Sequence, residues 1–314
     1  MEPWSDFPKT VIEFEERFAS EESCYAYLVK QRWPDGFRCP ACGHDSAWQL
    51  ARRRLMECRA CHRQVSVTAG TIFHRSRKPL RLWFKAMLLM TSQRPGISAL
   101  SLMRLLGLPS YQTAWTWLHK LRRAMVRPGR EPLTGKVEVD DGYVGGEETG
   151  VHGRETKNKA VVAVAVEVKG QAAGRLRMER VEDASADSLS TFVVGNVVPG
   201  STVRTDGWSG YERLRKEGYR HRPRLVGHAK RASRLFPHVH RALSLLKRWL
   251  LGTHQGAVRP HHLDAYLDEF VFRYNRRSSG RPTLPFQRLC AIAVLTRPVT
   301  YRRIVEEAQL LGAA

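Results

Sequence analysis

A chain of 314 residues with 42% apolar side chains is long enough for one large domain and one or two small ones. Its longest apolar runs, Ala86 to Met90 and Ala160 to Val166, fall far short of a membrane span, and its start, Met1-Glu2-Pro3-Trp4-Ser5-Asp6, lacks the order of a signal peptide, so a cytoplasmic protein with no membrane partner is expected. Lys and Arg number 52 against 30 acids, a net charge of +22, and basic clusters at 52–54, 75–85, 120–130, 213–234 and 273–281 predict a polyanionic partner touched by several faces.

Residues 1–35 read as a helical segment. Ser20 with Ser23 offers a helix start, and Cys24, Tyr27 and Leu28 share one helical face, with Cys24 a small buried hydrophobe. Residues 36–72 carry the sharpest local signal. Cys39-Pro40-Ala41-Cys42 and Cys58-Arg59-Ala60-Cys61 are separated by fifteen residues, the spacing of a four-thiolate zinc ribbon. A hairpin over Trp48 to Met56 brings the two turns together. So short a module has little core of its own, so Zn²⁺ supplies much of its folding free energy, and four protein ligands leave no open position for catalysis. His44 and His62 flank the turns as surface residues rather than ligands, while Arg52, Arg53, Arg54 and Arg59 make the ribbon basic.

Residues 73–130 change to a helical period. Leu80, Trp83, Phe84, Met87 and Leu88 recur at three and four, as do Ile97, Leu100, Met103 and Leu106, and then Ala114, Trp117, Leu118 and Leu121 after Gly107-Leu108-Pro109-Ser110. A short helix, a Gly-containing turn and a second helix bearing Lys120, Arg122 and Arg123 make a helix-turn-helix layout; a helical linker packed on the main domain is the alternative.

Pro128-Gly129-Arg130-Glu131-Pro132 opens the largest domain, 131–314. Val137 and Val139 alternate with Glu138 and Asp140, the pattern of a half-buried strand ending in the carboxylates Asp140 and Asp141, with Gly142, Gly145 and Gly146 supplying the turn. Carboxylates at a strand end suit Mg²⁺ or Mn²⁺. Strands over 159–168 and 176–181, a helix over 185–194 and a short strand leading to Asp206 follow. Three strands, a helix and a strand ending in an acid is the order of the ribonuclease H-like α/β fold, with the first and fourth strand ends side by side. Helices over 239–251 and 263–274 complete the pattern, and Cys290 lies in an apolar, inert segment.

The chain resembles the DDE-type transposases of bacterial insertion sequences, in the group that joins an amino-terminal zinc ribbon to a ribonuclease H-like catalytic domain. The resemblance rests on the Cys pairs, on Val137-Glu-Val-Asp140 followed by Tyr143-Val-Gly-Gly, on Thr205-Asp-Gly-Trp-Ser-Gly-Tyr211, on the stretch from His240 to His254, and on Tyr266-Leu-Asp-Glu-Phe-Val-Phe-Arg-Tyr-Asn-Arg-Arg277. It implies that Asp140 and Asp206 are the first two acids of the site, that His240 takes the third position, commonly Glu or Asn, and that Lys247 is the basic residue seven places on. Asp140, Asp206 and His240 would then hold two Mg²⁺ or Mn²⁺ ions for in-line displacement at phosphorus, with Lys247 on a phosphate and Asp141, facing the other way, in a supporting place. Double-stranded DNA, both the element's ends and the target, is the implied partner, and a homo-oligomer on DNA the implied assembly. Two rival readings compete. His238-Val239-His240 has the form of nucleases with a tyrosine nucleophile, but on a helix the two rings point almost oppositely. A DNA-binding regulator without catalysis would explain the charge, though not two acids at strand ends in so basic a chain.

Overall fold

A computed structural model describes residues 7–127, 129–145, 159–225, 234–256, 258–278 and 283–310. The chain forms two compact units, one of Met1–Arg127 with Ser278–Glu307 and the other of Pro128–Arg277 with the last residues. The expected single domain over 131–314 therefore loses its final helices to the first unit. The physical reason is an aromatic cluster: Phe286 packs edge-on against Phe14 at 4.7 Å and against Phe84 at 5.3 Å between ring centroids.

In the first unit, α1 (Val11–Arg17) and α2 (Glu21–Arg32) start at Thr10 and Ser20, whose side chains accept the Glu13 and Ser23 backbone N–H groups. The ribbon follows as β1 (Ala47–Leu50), β2 (Leu55–Cys58) and β3 (Gln64–Ser66), an antiparallel sheet with one strand more than the predicted hairpin. Next come α3 (Leu80–Ser92), α4 (Ala99–Leu106) and α5 (Tyr111–Arg123). The helices α4 and α5 pack together across the turn at Gly107, and Ser110 caps α5.

The second unit is built on a five-stranded mixed sheet. Its strands are β4 (Lys136–Val144), β5 (Ala160–Lys169), β6 (Ala172–Val181), β7 (Thr202–Thr205) and β8 (Arg220–Pro223), ordered β6-β5-β4-β7-β8. β4, β5 and β6 are antiparallel, whereas β7 and β8 run parallel to β4. Between β6 and β7 lies α6 (Ala186–Asn196), and after β8 come α7 (Pro237–His254) and α8 (Leu263–Tyr274). This is the mixed α/β sheet with flanking helices of the ribonuclease H-like class.

Both faces of the sheet are covered, which explains the unbroken apolar run of β5. Val162, Val164 and Val166 pack toward α7 and α8 with Leu176, Leu246, Trp249 and Phe270, while Ala163 and Ala165 pack toward α6 with Phe192 and Tyr211. The half-buried pattern expected of β4 is likewise corrected, since Glu138 is only 1% exposed. The strand also runs on through Gly142 to Val144 instead of turning there; Gly146 lies outside the described residues. Further helices, α9 (Leu284–Ala293) and α10 (Tyr301–Leu310), end the described chain.

Candidate active site and metal centre

β4 presents Glu138, Asp140 and Gly142 to α7, because alternate residues of a strand share a face. Each makes a different contact with successive turns of that helix. The Glu138 carboxylate accepts the backbone N–H groups of His238 at 2.9 Å and Val239 at 3.3 Å. Asp140 Oδ2 lies 3.6 Å from His240 Nε2. Gly142 lies beneath Leu243, where an added Cβ would stand 3.0 and 3.2 Å from the two methyl groups. A side chain here would be tight against Leu243, whose methyl groups would have to give by a few tenths of an ångström, while the backbone angle itself does not call for glycine.

Asp206 follows β7 directly. The parallel ladder pairs Val137 with Val203 and Glu138 with Arg204, and the same offset of 66 residues carries Asp140 to Asp206 two positions further on. Asp206 Oδ1 accepts the Trp208 N–H at 3.1 Å, and the Thr205 hydroxyl donates to the Asp206 carbonyl at 2.7 Å. With its one proton so used, Thr205 Oγ1 receives the Nε2–H of His221 from β8 at 2.8 Å. Glu138 and His221 were not picked out from the sequence as parts of this site.

His240 is half-buried, and burial pushes its pKa below the usual histidine value while the charges of Glu138 and Asp206 pull it back up. The ring is therefore biased to the neutral form, with a lone pair to offer. Two carboxylates and an imidazole match the hard-to-borderline donor set that Mg²⁺ or Mn²⁺ accepts. Asp141 faces the other side of the sheet, where the Tyr211 hydroxyl donates to it at 3.4 Å. Lys247 is exposed on α7, about 10 Å along the axis from His240. The structure thus brings Asp140 and His240 into contact and leaves Lys247 apart on the same helix. His238 and His240 are about 200° apart around that helix, so they do not form the paired imidazoles of a tyrosine-nucleophile nuclease.

In the ribbon, the Sγ atoms of Cys39, Cys42, Cys58 and Cys61 all lie within 4.8 Å of one another, with Cys39 to Cys61 at 3.6 Å and Cys42 to Cys58 at 3.5 Å. Sulfurs at tetrahedral corners about 2.3 Å from zinc are separated by about 3.8 Å, so this set fits Zn²⁺ and is too wide for disulfides. Among the described residues no other cluster of His, Cys, Asp or Glu is drawn together in this way. The knuckles repeat one design: Gly43 at φ 75° and His62 at φ 55° follow the second cysteine of each pair, and their N–H groups return to the carbonyls of Cys39 and Cys58. The His62 ring then stacks 5.9 Å from exposed Trp48, which also lies under Arg59.

Of the basic residues that α5 bears, only Arg123 is exposed. Arg122 is 1% exposed, Lys120 is half-buried with its ammonium pKa lowered by burial, and Arg123 bonds to Glu307. The exposed face of α5 begins instead at Tyr111 and Gln112. No described helix is long and apolar enough to cross a membrane.

Residues 132–275 match the ISXO2-like transposase domain, and residues 19–64 match the transposase zinc-ribbon domain. The chain is also 27% identical over 277 residues to an uncharacterized protein in transposable element ISH50 of Halobacterium salinarum, covering 82% of this chain and 91% of that protein.

Proposed function

From the membership of this chain in the insertion-sequence transposases that join a zinc ribbon to an ISXO2-like domain, we propose that it binds the ends of its own element and performs divalent-metal-dependent strand cleavage and strand transfer. The single observation that carries this reading is that Asp140, within β4, faces His240 on α7, while Asp206, just past the end of the parallel strand β7, lies near enough for its charge to act on His240. Asp140, Asp206 and His240 are the residues that would hold Mg²⁺ or Mn²⁺. Such ions, when bound, polarise a phosphodiester and favour a nucleophilic hydroxyl at neutral pH.

The chain's own residues do the rest. The Asp206 carboxylate is oriented by its bond from Trp208 and its backbone by the Thr205–His221 pair. His240, biased toward neutrality, offers a lone pair without a competing proton, and Lys247 supplies a positive charge on the same helix for a phosphate of the bound strand. The net charge of +22 favours double-stranded DNA as partner, with the ribbon and the α4–α5 pair as the end-binding elements and a homo-oligomer as the working form on DNA.

The test is cleavage of a DNA duplex carrying the element's end, in Mg²⁺ and in Mn²⁺. Asp140→Asn, Asp206→Asn and His240→Ala should each abolish cleavage while DNA affinity is kept or slightly raised, and Asp141→Asn should cleave. Tight end binding by the wild-type chain with no cleavage in either metal would favour the regulator reading instead. Cleavage lost in Asp141→Asn and kept in Asp140→Asn would shift the site by one residue.

A further inference from the structure

We propose that Glu138 and Arg204 are positioning residues that fix the start of α7 against β4 and thereby hold the His240 imidazole at Asp140; the inference rests on the reading of Asp140, Asp206 and His240 as the catalytic centre. A helix begins with N–H groups that have no partner within it. α7 opens with Phe236 at its cap and Pro237 in its first turn, and Phe236 gives no side-chain cap. The missing acceptor comes from the sheet, where Glu138 takes the His238 and Val239 N–H groups on one carboxylate. A carboxylate at this end is also favoured by the helix dipole.

The other half of the clamp comes from β7. Arg204 Nη1 lies 3.5 Å from Glu138 Oε1, its Nη2 donates to the Leu235 carbonyl at 2.8 Å, and its guanidinium stands 5.7 Å from the Phe236 ring centroid. Glu138 and Arg204 are also register partners in the parallel ladder. One pair of side chains therefore ties three segments together: β4, β7 and the entry to α7. Each of the two strands carries a catalytic acid two residues further on, and the helix carries His240 one or two residues beyond the amides that are held.

This arrangement separates positioning from packing. A buried carboxylate that is 1% exposed is costly, and an apolar residue of similar size would fill the same space. What an apolar residue lacks is the directional bond to two amides. Both Glu138 oxygens are engaged, one by the helix amides and one facing Arg204, so the group is spoken for by the protein rather than offered to a ligand. The bonds to His238 and Val239 are to backbone, so the side chain at 238 is not part of the device.

The experiment uses the full chain, with steady-state cleavage of element-end DNA and amide hydrogen exchange over 236–241. Glu138→Ala should lower kcat by about 100-fold, the scale of an ångström-sized misplacement, with KM for the DNA end unchanged and faster exchange at the His238 and Val239 amides. Glu138→Gln keeps an acceptor for those amides and should stay within about tenfold of wild type, with exchange close to wild type. Arg204→Met, which keeps the contact with Phe236 and loses the bonds to Glu138 and Leu235, should show a similar loss of kcat without a change in DNA affinity, and it decides the matter if Glu138→Ala does not fold. Wild-type kcat in Glu138→Ala or Arg204→Met, or unchanged exchange at 238 and 239, would overturn the proposal. So would a Glu138→Gln protein as inactive as Asp140→Asn, since Glu138 would then be acting as a catalytic carboxylate. Asp140→Asn run alongside keeps the two readings apart: if it cleaves normally the catalytic centre is misassigned, whereas if it is inactive and Glu138→Ala is not, only the positioning role fails.

Discussion

An imidazole that must offer a lone pair works only while it is unprotonated, so under the proposed role of His240 its surroundings set the acid limit of activity. Burial disfavours the charged ring and lowers its pKa from 6.5, with Glu138 and Asp206 opposing the shift from the sheet side. Cleavage should therefore hold below pH 6.5 and fall only as pH drops through the lowered value, because protonation removes the lone pair there. A rate profile between about pH 5 and 8 checks this; an acid limb above 6.5 would contradict the lowered pKa, and a rate that instead falls as pH rises through this range would mean that the charged ring is the working form. His240→Glu should keep some activity with Mg²⁺ gaining on Mn²⁺, since an imidazole is replaced by a hard oxygen donor. His238→Ala should cleave as wild type, because its bond to Glu138 is through backbone. Asp140, Asp206 and His240 were picked out through the motifs that carry the family resemblance, and the structure adds the contact between Asp140 and His240. Glu138 was not, since a charged residue alternating with valines reads as facing water, and only the distant arrival of α7 buries it.

The contact between β4 and α7 depends on a missing side chain. Gly142→Ala should drive a methyl into Leu243 and destabilise the protein by roughly 1–3 kcal/mol, the usual cost of overpacking. Leu243→Ala alone should cost about 2–5 kcal/mol through the cavity it leaves. In the double variant the two should partly cancel, and a urea titration that found them additive would show that the strand and helix do not meet there. The elements that carried strong period or cap signals were the legible ones: β4, β5, α2, α6, α7 and α8. β8 was missed because Arg220-His221-Arg222-Pro223 has the composition of a loop and becomes a strand only by pairing with β7. In α4 the deepest positions are Ala99 and Leu102; of the expected period Ile97 is buried, Met103 and Leu106 are partly buried, and Leu100 alone faces out at 41% exposed. On α5, counting basic residues misled because Arg122 points inward, and only tertiary packing distinguishes an interior arginine from a DNA contact. The outer edge of β6 is closed by Asn275, which accepts the Leu176 N–H at 2.7 Å and donates to its carbonyl at 3.1 Å. Asn275→Ala should loosen that edge, with faster exchange of the Leu176 amide as the readout.

At the scale of the whole chain, the two units differ in what holds them. The second has apolar cores on both faces of its sheet, whereas the ribbon's own core is Phe37, Cys39, Cys58 and Val65 with Trp33, Ala47 and Met56 against them. A cluster that small cannot offset the conformational entropy of ordering three short strands. Zinc binding to such sites is worth about 10–16 kcal/mol in zinc-finger peptides at neutral pH, so the folding of the ribbon should follow the metal. One zinc per chain should be found by elemental analysis, and Cys58→Ser should lose it. Chelation or Cys58→Ser should then unfold the ribbon, make the remaining thiols reactive and weaken binding to the element's end, with the loss largest at low salt if the ribbon's arginines contact phosphates. The cooperative melting of the second unit should persist, because none of its core residues belongs to the ribbon. Protein purified without zinc that kept native end binding and protected thiols would refute the metal's structural role, whereas collapse of both transitions together would show that the second unit depends on the first for its stability.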